Sequence, residues 1–209
     1  PFTVDLESLL QRNRRSKGVS IEEVYKCIWQ GGMPALLNGT NTEHDAVYGS
    51  YISTYIDRDV REIADKIDSL KFLRFITATA AIAGQMLNYK TIADLADVSV
   101  PTVKNWLNIL ERLGIIFYLH PFANNLLKRM VSKPKLYFYD CGLVCYLTKW
   151  QSSETLLSGA MSGAILENFV VSEIVKSYQN AGKTPYIYYY RDKDNKEIEI
   201  PVEQVKLDD

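Results

Sequence analysis

The sequence has few of the residues from which catalytic and metal sites are usually built. It contains 2 histidines and 3 cysteines in 209 residues. His44 and His120 lie in separate predicted loops, so a Ser/His/Asp relay has little material, and the cysteines lack the paired spacing of zinc sites. Glycine-rich phosphate loops and the HExxH and GxSxG motifs are also absent from the sequence. The sequence therefore excludes most nucleotide-binding loops, zinc sites and catalytic triads.

An excess of one charge and a long apolar run are missing as well. The 24 Lys and Arg residues balance 25 Asp and Glu residues, for a formal net charge of −1, so any affinity for nucleic acid rests on local patches. No signal peptide and no run of about eighteen apolar residues occurs, which predicts a cytoplasmic protein without a membrane partner. A short apolar helix is predicted at 141–150, with Asp140 as its cap. Cys141 and Cys145, one helical turn apart in this segment, are interpreted as buried free thiols.

Residues 91–119 carry the clearest structural pattern. Ile92, Leu95 and Ala96 repeat at helical spacing and predict the buried face of a first helix. Ser99 can accept hydrogen bonds from the free amides of a following turn, and Pro101 is tolerated there because no intrahelical donor is needed. The pattern predicts a helix, a tight turn and a second helix.

The second helix of this unit is predicted to end at Gly114 in a left-handed cap, and residues 115–119 are predicted to form a strand. Its expected buried side chains are Val103, Trp106 or Leu107, Leu110 and Leu113. A preceding helix at residues 72–87, ended by Asn88, would complete the skeleton of a winged helix.

The polar face of the second helix is the first candidate for a binding site. In DNA-binding winged helices, the N-terminal residues of this helix enter the major groove. The predicted contacts are Ser99, Thr102, Lys104, Asn105 and Asn108, with Arg112 further along. Because the face has one Lys and one Arg beside Glu111, a protein-docking or purely structural winged helix remains an alternative.

Basic residues form three further groups with two interpretations each. Strands at 115–119 and 136–139 with a basic, Asn-rich connection predict a wing, which either contacts phosphate or is a solvated loop. Its positive charges are Lys128, Arg129, Lys133 and Lys135. Arg58 and Arg61, in a long helix predicted from Asp45, either screen neighbouring acids or meet a nucleotide-bearing neighbour. Near the start, either a solvated linker or a phosphate contact is predicted for the basic residues Arg12, Arg14, Arg15 and Lys17.

Two helices are predicted in the first 60 residues. The first starts at Ile21, and Gly31-Gly32 followed by Pro34 is predicted to end it in a turn. In the helix from Asp45, Tyr48 and Ile52 are predicted to lie on one apolar face.

The last third of the chain carries an acidic pattern after a polar break at residues 151–154. A helix from about Ser162 bears Glu167, and a hairpin with strands at 186–190 and 197–202 bears Glu199. Nucleases that hold a divalent cation have carboxylates in this order. They also need an E-x-K pair on a following strand. Glu203 and Lys206 are three residues apart rather than two, and strand alternation would put them on opposite faces.

Six sequence blocks together resemble a known family. In chain order they are GGMPAL, YISTYIDRDVREI, the run from GQMLNYK to NNLLKR, KPKLYFYDCGL, GAILENFVVSEIVKS and YYYRDKDNKEIE. They closely resemble the C-terminal half of a large family of predicted AAA+ superfamily ATPases of bacteria and archaea. That half is a domain of unknown function that follows the ATPase core, and the resemblance extends over residues 21–199.

The resemblance implies a parent protein whose N-terminal ATPase core binds ATP and magnesium, whereas this chain would hold no cofactor. It implies a winged helix and then a segment similar to PD-(D/E)XK nucleases, with Glu167 and Glu199 as metal ligands. The family commonly has Asp at the position of Glu199, and the strand with the E-I-K triplet would lie beyond Asp209. We therefore expect no nuclease activity, and we expect both ends, including Pro1, to be cut from a longer protein.

These patterns predict a mainly α fold with a small β component (α+β). The predicted parts are an N-terminal helical region at 1–70, a winged helix-turn-helix domain at 71–150 and a truncated α/β nuclease-like piece at 151–209. The expected function is a non-catalytic piece of an AAA+ ATPase that couples its ATPase core to DNA. The alternatives are a protein-interaction platform and, if completed downstream, a metal-dependent nuclease.

Overall fold

A computed structural model describes residues 11, 18–38, 43–54, 68–122, 133–191 and 197–201 of the chain. Within these ranges helices predominate, accompanied by a three-stranded sheet and a two-stranded hairpin, both antiparallel. The predicted α+β class is confirmed. In the described part of the chain, no helix combines the length and apolarity that crossing a bilayer requires.

The described part of the N-terminal region contains three helices. They are α1 (Ile21–Gln30), α2 (Pro34–Leu37) and α3 (His44–Thr54). Ser20 and Glu23 form a capping box that starts α1, and Gly31, at φ 74°, ends it as the Gly-Gly pair predicted. Tyr48 and Ile52 of α3 are buried as expected. The continuation predicted for this helix, with Arg58 and Arg61, lies outside the described residues.

The described residues in the middle of the chain form three helices and a small sheet. In order these are α4 (Ser69–Ala80), β1 (Gln85–Met86), α5 (Tyr89–Ala96), α6 (Val100–Arg112), β2 (Ile116–Leu119) and β3 (Lys135–Phe138). The predicted start of α6 is confirmed, because Ser99 accepts from the Thr102 amide and Pro101 lies in the first turn. Gly114 adopts the predicted left-handed conformation, with φ 67°. Strand β3 begins one residue earlier than predicted.

Two predictions for this region are wrong. The helix predicted at 72–87 ends at Ala80, because Gly84 turns the chain at φ 75° and the next two residues pair with β3. Asn88 starts α5 as its N-cap instead of ending α4. Leu95 is 60% exposed, since α5 contacts the core through Ile92, Ala93 and Ala96.

The C-terminal region adds three helices and a hairpin. They are α7 (Cys141–Leu147), α8 (Ser153–Leu157), α9 (Ser162–Asn180), β4 (Ile187–Arg191) and β5 (Glu197–Pro201). Asp140 caps α7 as predicted and accepts from the Leu143 amide. Helix α7 is shorter than predicted, with Lys149 in a left-handed conformation at φ 63° soon after its end.

Strand β3 is the centre of the three-stranded sheet, whose order is β1-β3-β2. Side chains on a strand alternate between its two faces. Leu136 and Phe138 pack into the larger core with the helices α4–α6, whereas Tyr137 packs with Val171 and Val175 of α9. All four residues of β3 are buried. The sheet is therefore a middle layer with helices on both faces.

Asn168 of α9 joins that helix to the sheet through hydrogen bonds rather than apolar contact. The Phe138 N–H donates to Asn168 Oδ1 at 2.8 Å, and Asn168 Nδ2 donates to the Phe138 carbonyl at 2.9 Å. The pairing of β1 with β3 extends only as far as Leu136. The fully buried amide of Asn168 thus takes the place of a neighbouring strand at Phe138.

Two buried cysteines confirm the prediction for the apolar segment. Cys141 and Cys145 are buried and free, whereas Cys27 is free and exposed. Burial raises the pKa of Cys141 to about 12, although a hydrogen bond from Asn168 opposes the shift. Burial raises the pKa of Cys145 as well. Both thiols therefore remain protonated at neutral pH and are poor nucleophiles.

Asn168→Ala is expected to lower the free energy of unfolding by about 2–4 kcal/mol, because it leaves two buried backbone groups without partners. Urea-induced unfolding followed by circular dichroism measures this. Val170→Ala, at a 47% exposed position of the same helix, is the control and is expected to change stability by about 0.5 kcal/mol or less. Equal stabilities of the two variants would contradict the role given to the amide.

Alkylation with iodoacetamide at neutral pH is expected to label Cys27 and to leave Cys141 and Cys145 unmodified in the folded protein. Burial both blocks access and keeps these two thiols protonated. Mass spectrometry of the folded and the urea-unfolded chain counts the labels. The Cys27→Ser variant should then take up no label while folded. Labelling of Cys141 as fast as Cys27 would show that the segment opens.

Candidate nucleic-acid interface

Helix α6 has one buried face and one exposed face. Trp106 packs edge-on against Phe72 and Phe75 of α4, with ring centroids 5.3 and 5.2 Å away. Val103, Trp106, Leu107 and Leu110 are all buried. The opposite side is exposed at Pro101, Lys104, Asn105, Asn108, Glu111 and Arg112. Three of the predicted DNA contacts, Lys104, Asn105 and Asn108, therefore lie together on a solvent-exposed surface.

The position of Lys104 depends on the neighbouring helix. Its Nζ atom lies 5.2 Å from the centroid of the Tyr89 ring, at the start of α5. A cation over an aromatic face is attracted by the ring quadrupole. Tyr89 was not among the predicted site residues, although it lies three residues before Ile92 on the same helix.

Ser99 and Thr102 have a structural role at the start of α6. The Thr102 amide donates to Ser99 Oγ at 3.2 Å, and the two hydroxyl oxygens lie 2.8 Å apart. Ser99 is exposed and Thr102 is half-buried. These contacts cap the helix and fix the geometry of its first turn.

The turn before α6 has two acidic side chains and one basic side chain beside it. Lys71 of α4 donates to the carbonyl of Asp97 at 3.0 Å and forms an ion pair with its carboxylate at 3.2 Å. A cavity of about 620 Å³ opens here and is also lined by Asp94, Ser99 and Thr102. The two acidic side chains make this cavity unsuitable for phosphate, so the candidate surface is the exposed side of α6.

Of the positive charges predicted for the wing, Lys133 and Lys135 lie within the described residues, and their environments differ. Lys128 and Arg129 lie outside the described residues. Lys133 is exposed, and its carbonyl accepts from the Tyr189 hydroxyl at 2.6 Å. Lys135 is only 2% exposed, and its Nζ lies 2.9 Å from Glu167 Oε1. The prediction of Lys135 as a phosphate contact is wrong, because strand alternation turns its side chain toward α9.

Of the two predicted metal ligands, the structure describes the side chain of Glu167 but only the backbone of Glu199. Glu167 Oε1 accepts from Lys135 Nζ and, at 2.6 Å, from the Tyr137 hydroxyl. Glu199 belongs to β5, opposite Tyr189, and its side chain lies outside the described part of the chain. Among the described residues, no three His, Cys, Asp or Glu side chains lie together as metal ligands would.

A second cluster brings together two motifs that the sequence patterns left unconnected. Asp140 Oδ1 accepts from the Tyr48 hydroxyl at 2.8 Å, and Asp140 Oδ2 accepts from the Gly32 amide at 2.9 Å. A Cβ atom at Gly31 would lie 2.0 Å from the Tyr48 hydroxyl. The segments GGMPAL and YDCGL therefore meet around one carboxylate. The Gly-Gly pair was predicted only as a turn, although a close backbone approach also requires glycine.

Two family models match the chain. Residues 21–154 match one described as a domain of unknown function, DUF8612, and residues 162–204 match another described as a domain of unknown function, DUF4143. The first match contains helices α1–α7 and the three-stranded sheet. The second contains α9 and the β4–β5 hairpin.

Relatives occur in bacteria and archaea. The uncharacterized proteins Mb2031c of Mycobacterium bovis and Rv2008c of Mycobacterium tuberculosis are each 27% identical over 178 residues, which are 84% of this chain and 40% of each relative. The uncharacterized protein MJ1637 of Methanocaldococcus jannaschii is 22% identical over 152 residues, which are 71% of this chain and 31% of that protein. The chain thus spans less than half the length of these relatives. No solved structure matches it.

The Lys135→Met variant is expected to lower the free energy of unfolding by about 1–3 kcal/mol, because it leaves Glu167 without its cation. Adding Glu167→Gln to this variant should recover part of the loss, since no unpaired charge then remains. Urea unfolding of the wild type, both single variants and the double variant measures the coupling. Additive effects of the two substitutions would contradict the proposed ion pair.

Proposed function

The chain belongs to the family described as a domain of unknown function, DUF8612, and we propose that its middle part is a winged helix-turn-helix unit that binds DNA. Three helices, α4, α5 and α6, precede the returning strands of an antiparallel sheet with the order β1-β3-β2. In such a unit α6 is the recognition helix, and the connection between β2 and β3 is the wing.

The observation that carries the proposal is the exposed side of α6. Recognition helices keep one side in the core and present the other to the major groove. The helix that meets this description has Lys104, Asn105 and Asn108 on its exposed side. Asn can form a bidentate pair with adenine, and Lys can contact either phosphate or guanine. The cap formed by Ser99 stabilises the first turn of this helix.

We further propose that this unit couples DNA to an ATPase core. The matched region is 40% of the length of each mycobacterial relative, so those proteins have room for another domain. The resemblance to AAA+ ATPases suggests that such a domain binds ATP and magnesium. Hydrolysis would then occur outside these 209 residues, which contain no phosphate loop.

A protein-docking platform is the second candidate function. Three leucines on α4 and α5 are exposed, Leu70 at 59%, Leu73 at 39% and Leu95 at 60%. Large apolar side chains of this kind are common at protein interfaces. The carboxylates of Asp94, Asp97 and Glu111 near α6 also favour a protein partner over phosphate. A nuclease is less well supported, because Glu167 is the partner of Lys135 and Tyr137.

Fluorescence anisotropy with a labelled random duplex, titrated with salt, tests DNA binding. We expect an affinity that falls steeply with salt, and we expect Lys104→Ala to reduce the salt slope by about one. Asn105→Ala and Asn108→Ala should instead weaken sequence preference, at a cost of about 1–3 kcal/mol for each lost bidentate contact.

The matched control is Lys26→Ala, which removes an exposed lysine from α1. It changes net charge as Lys104→Ala does, so an equal loss of affinity in both variants would assign the binding to overall charge. If the chain binds no duplex even at low salt, the DNA proposal is wrong. The Leu70 and Leu95 surface would then be tested for a protein partner.

A further inference from the structure

We propose that a cleft between β2 and β4 binds an unpaired nucleobase of DNA, beside the duplex site. This inference rests on the proposed DNA-binding function and adds an unpaired base to the proposed duplex ligand. The cleft has a volume of about 330 Å³. That is at the small end of ligand pockets, which favours one base over a long peptide or a duplex.

The cleft forms because two strands meet at one point and then separate. Tyr189 of β4 donates its N–H to the His120 carbonyl at 3.1 Å and accepts from the Phe122 N–H at 2.7 Å. These are the backbone hydrogen bonds described between β4 and the segment that extends β2. From this parallel bridge, centred on Pro121, the strands diverge toward Phe117 and Ile187, which line opposite walls.

Backbone groups on both walls point into the cleft. The Ile115 carbonyl accepts from the Tyr139 N–H on the β3 side at 3.0 Å. Because bonding directions alternate along a strand, the N–H and C=O of Tyr118 face the opposite edge, toward β4. The backbone N–H and C=O of Tyr189 face β2 because they form the bridge. The N–H and C=O of Ile187, two residues earlier on the chain, therefore face β2 as well. The cleft therefore offers donors and acceptors in one plane.

Aromatic side chains supply the rest of the lining. Phe117, Tyr139, Tyr186 and Tyr188 surround the cleft, and Gln179 of α9 lies beside them. Gln179 Nε2 donates to the Tyr139 hydroxyl at 2.8 Å. Tyr186 is 62% exposed. Stacking surfaces combined with planar hydrogen-bonding groups are what proteins use to hold unpaired bases.

The location suits a strand that leaves the duplex site. Phe122, at the end of the bridge, leads into the β2–β3 connection, which is the wing of the proposed unit. Lys183 is exposed at the entrance, next to the lining residue Thr184. Glu111 interacts electrostatically with His120, which lines the cleft. The base would be held by stacking rather than by net positive charge.

Three labelled probes test the cleft with the whole 209-residue chain. They are a blunt duplex, the same duplex with a short single-stranded extension, and the single strand alone, with 2-aminopurine in the unpaired part to report stacking. We expect the extension to tighten binding about tenfold. Tyr186→Ala should abolish the gain and the 2-aminopurine quenching. Tyr186→Phe, which keeps the ring, should preserve both.

Tyr190→Ala is the matched control, because Tyr190 of β4 is also an exposed tyrosine, at 43%, and does not line the cleft. If the chain binds the blunt duplex and the extension adds no affinity, the cleft does not bind a base, whereas the proposed DNA-binding function is supported. Single-strand binding that depends on Tyr186, without duplex binding, supports the cleft and overturns the duplex site. Failure of all probes at low salt overturns both, and the edge at Tyr118 would then suit a peptide strand.

Discussion

The burial of β3 on both faces is the constraint on which the rest of the structure depends. Leu136 and Phe138 tie the strand to the helices α4–α6, while Tyr137 ties it to α9. The amide of Asn168 completes its hydrogen bonding where β1 has ended. A strand held on both faces and both edges cannot shift its register without exposing every side chain to the wrong layer.

This layered arrangement separates two surfaces with different chemistry. The side of α6 that faces away from the sheet is polar and carries Lys104 above the ring of Tyr89. The edge of β2 faces β4 and is lined mainly by aromatic rings such as those of Phe117 and Tyr186. Both surfaces lie on elements that flank the β2–β3 connection.

The net charge of the whole chain is close to zero. The charges near α6 therefore determine whether DNA or a protein is the better-suited partner. The burial of Lys135 removes a cation from the wing region, and Asp97 pairs with Lys71 near the turn before α6. Lys104 and Arg112 remain exposed on α6 itself. For the proposed DNA-binding role, these two cations on α6 favour modest, readout-based binding over strong attraction to phosphate.

The sequence by itself determined the local features of this protein. The caps Ser99 and Asp140 and the left-handed Gly114 depend on residues within one helical turn, and they were predicted correctly. Only the tertiary structure decided that Lys135 is buried against Glu167, 32 positions away, and that Tyr48 meets Asp140, 92 positions away. Periodicity shows which face of a strand or helix is apolar. It does not show which distant segment covers that face, and this pairing determines which charges remain available to a ligand.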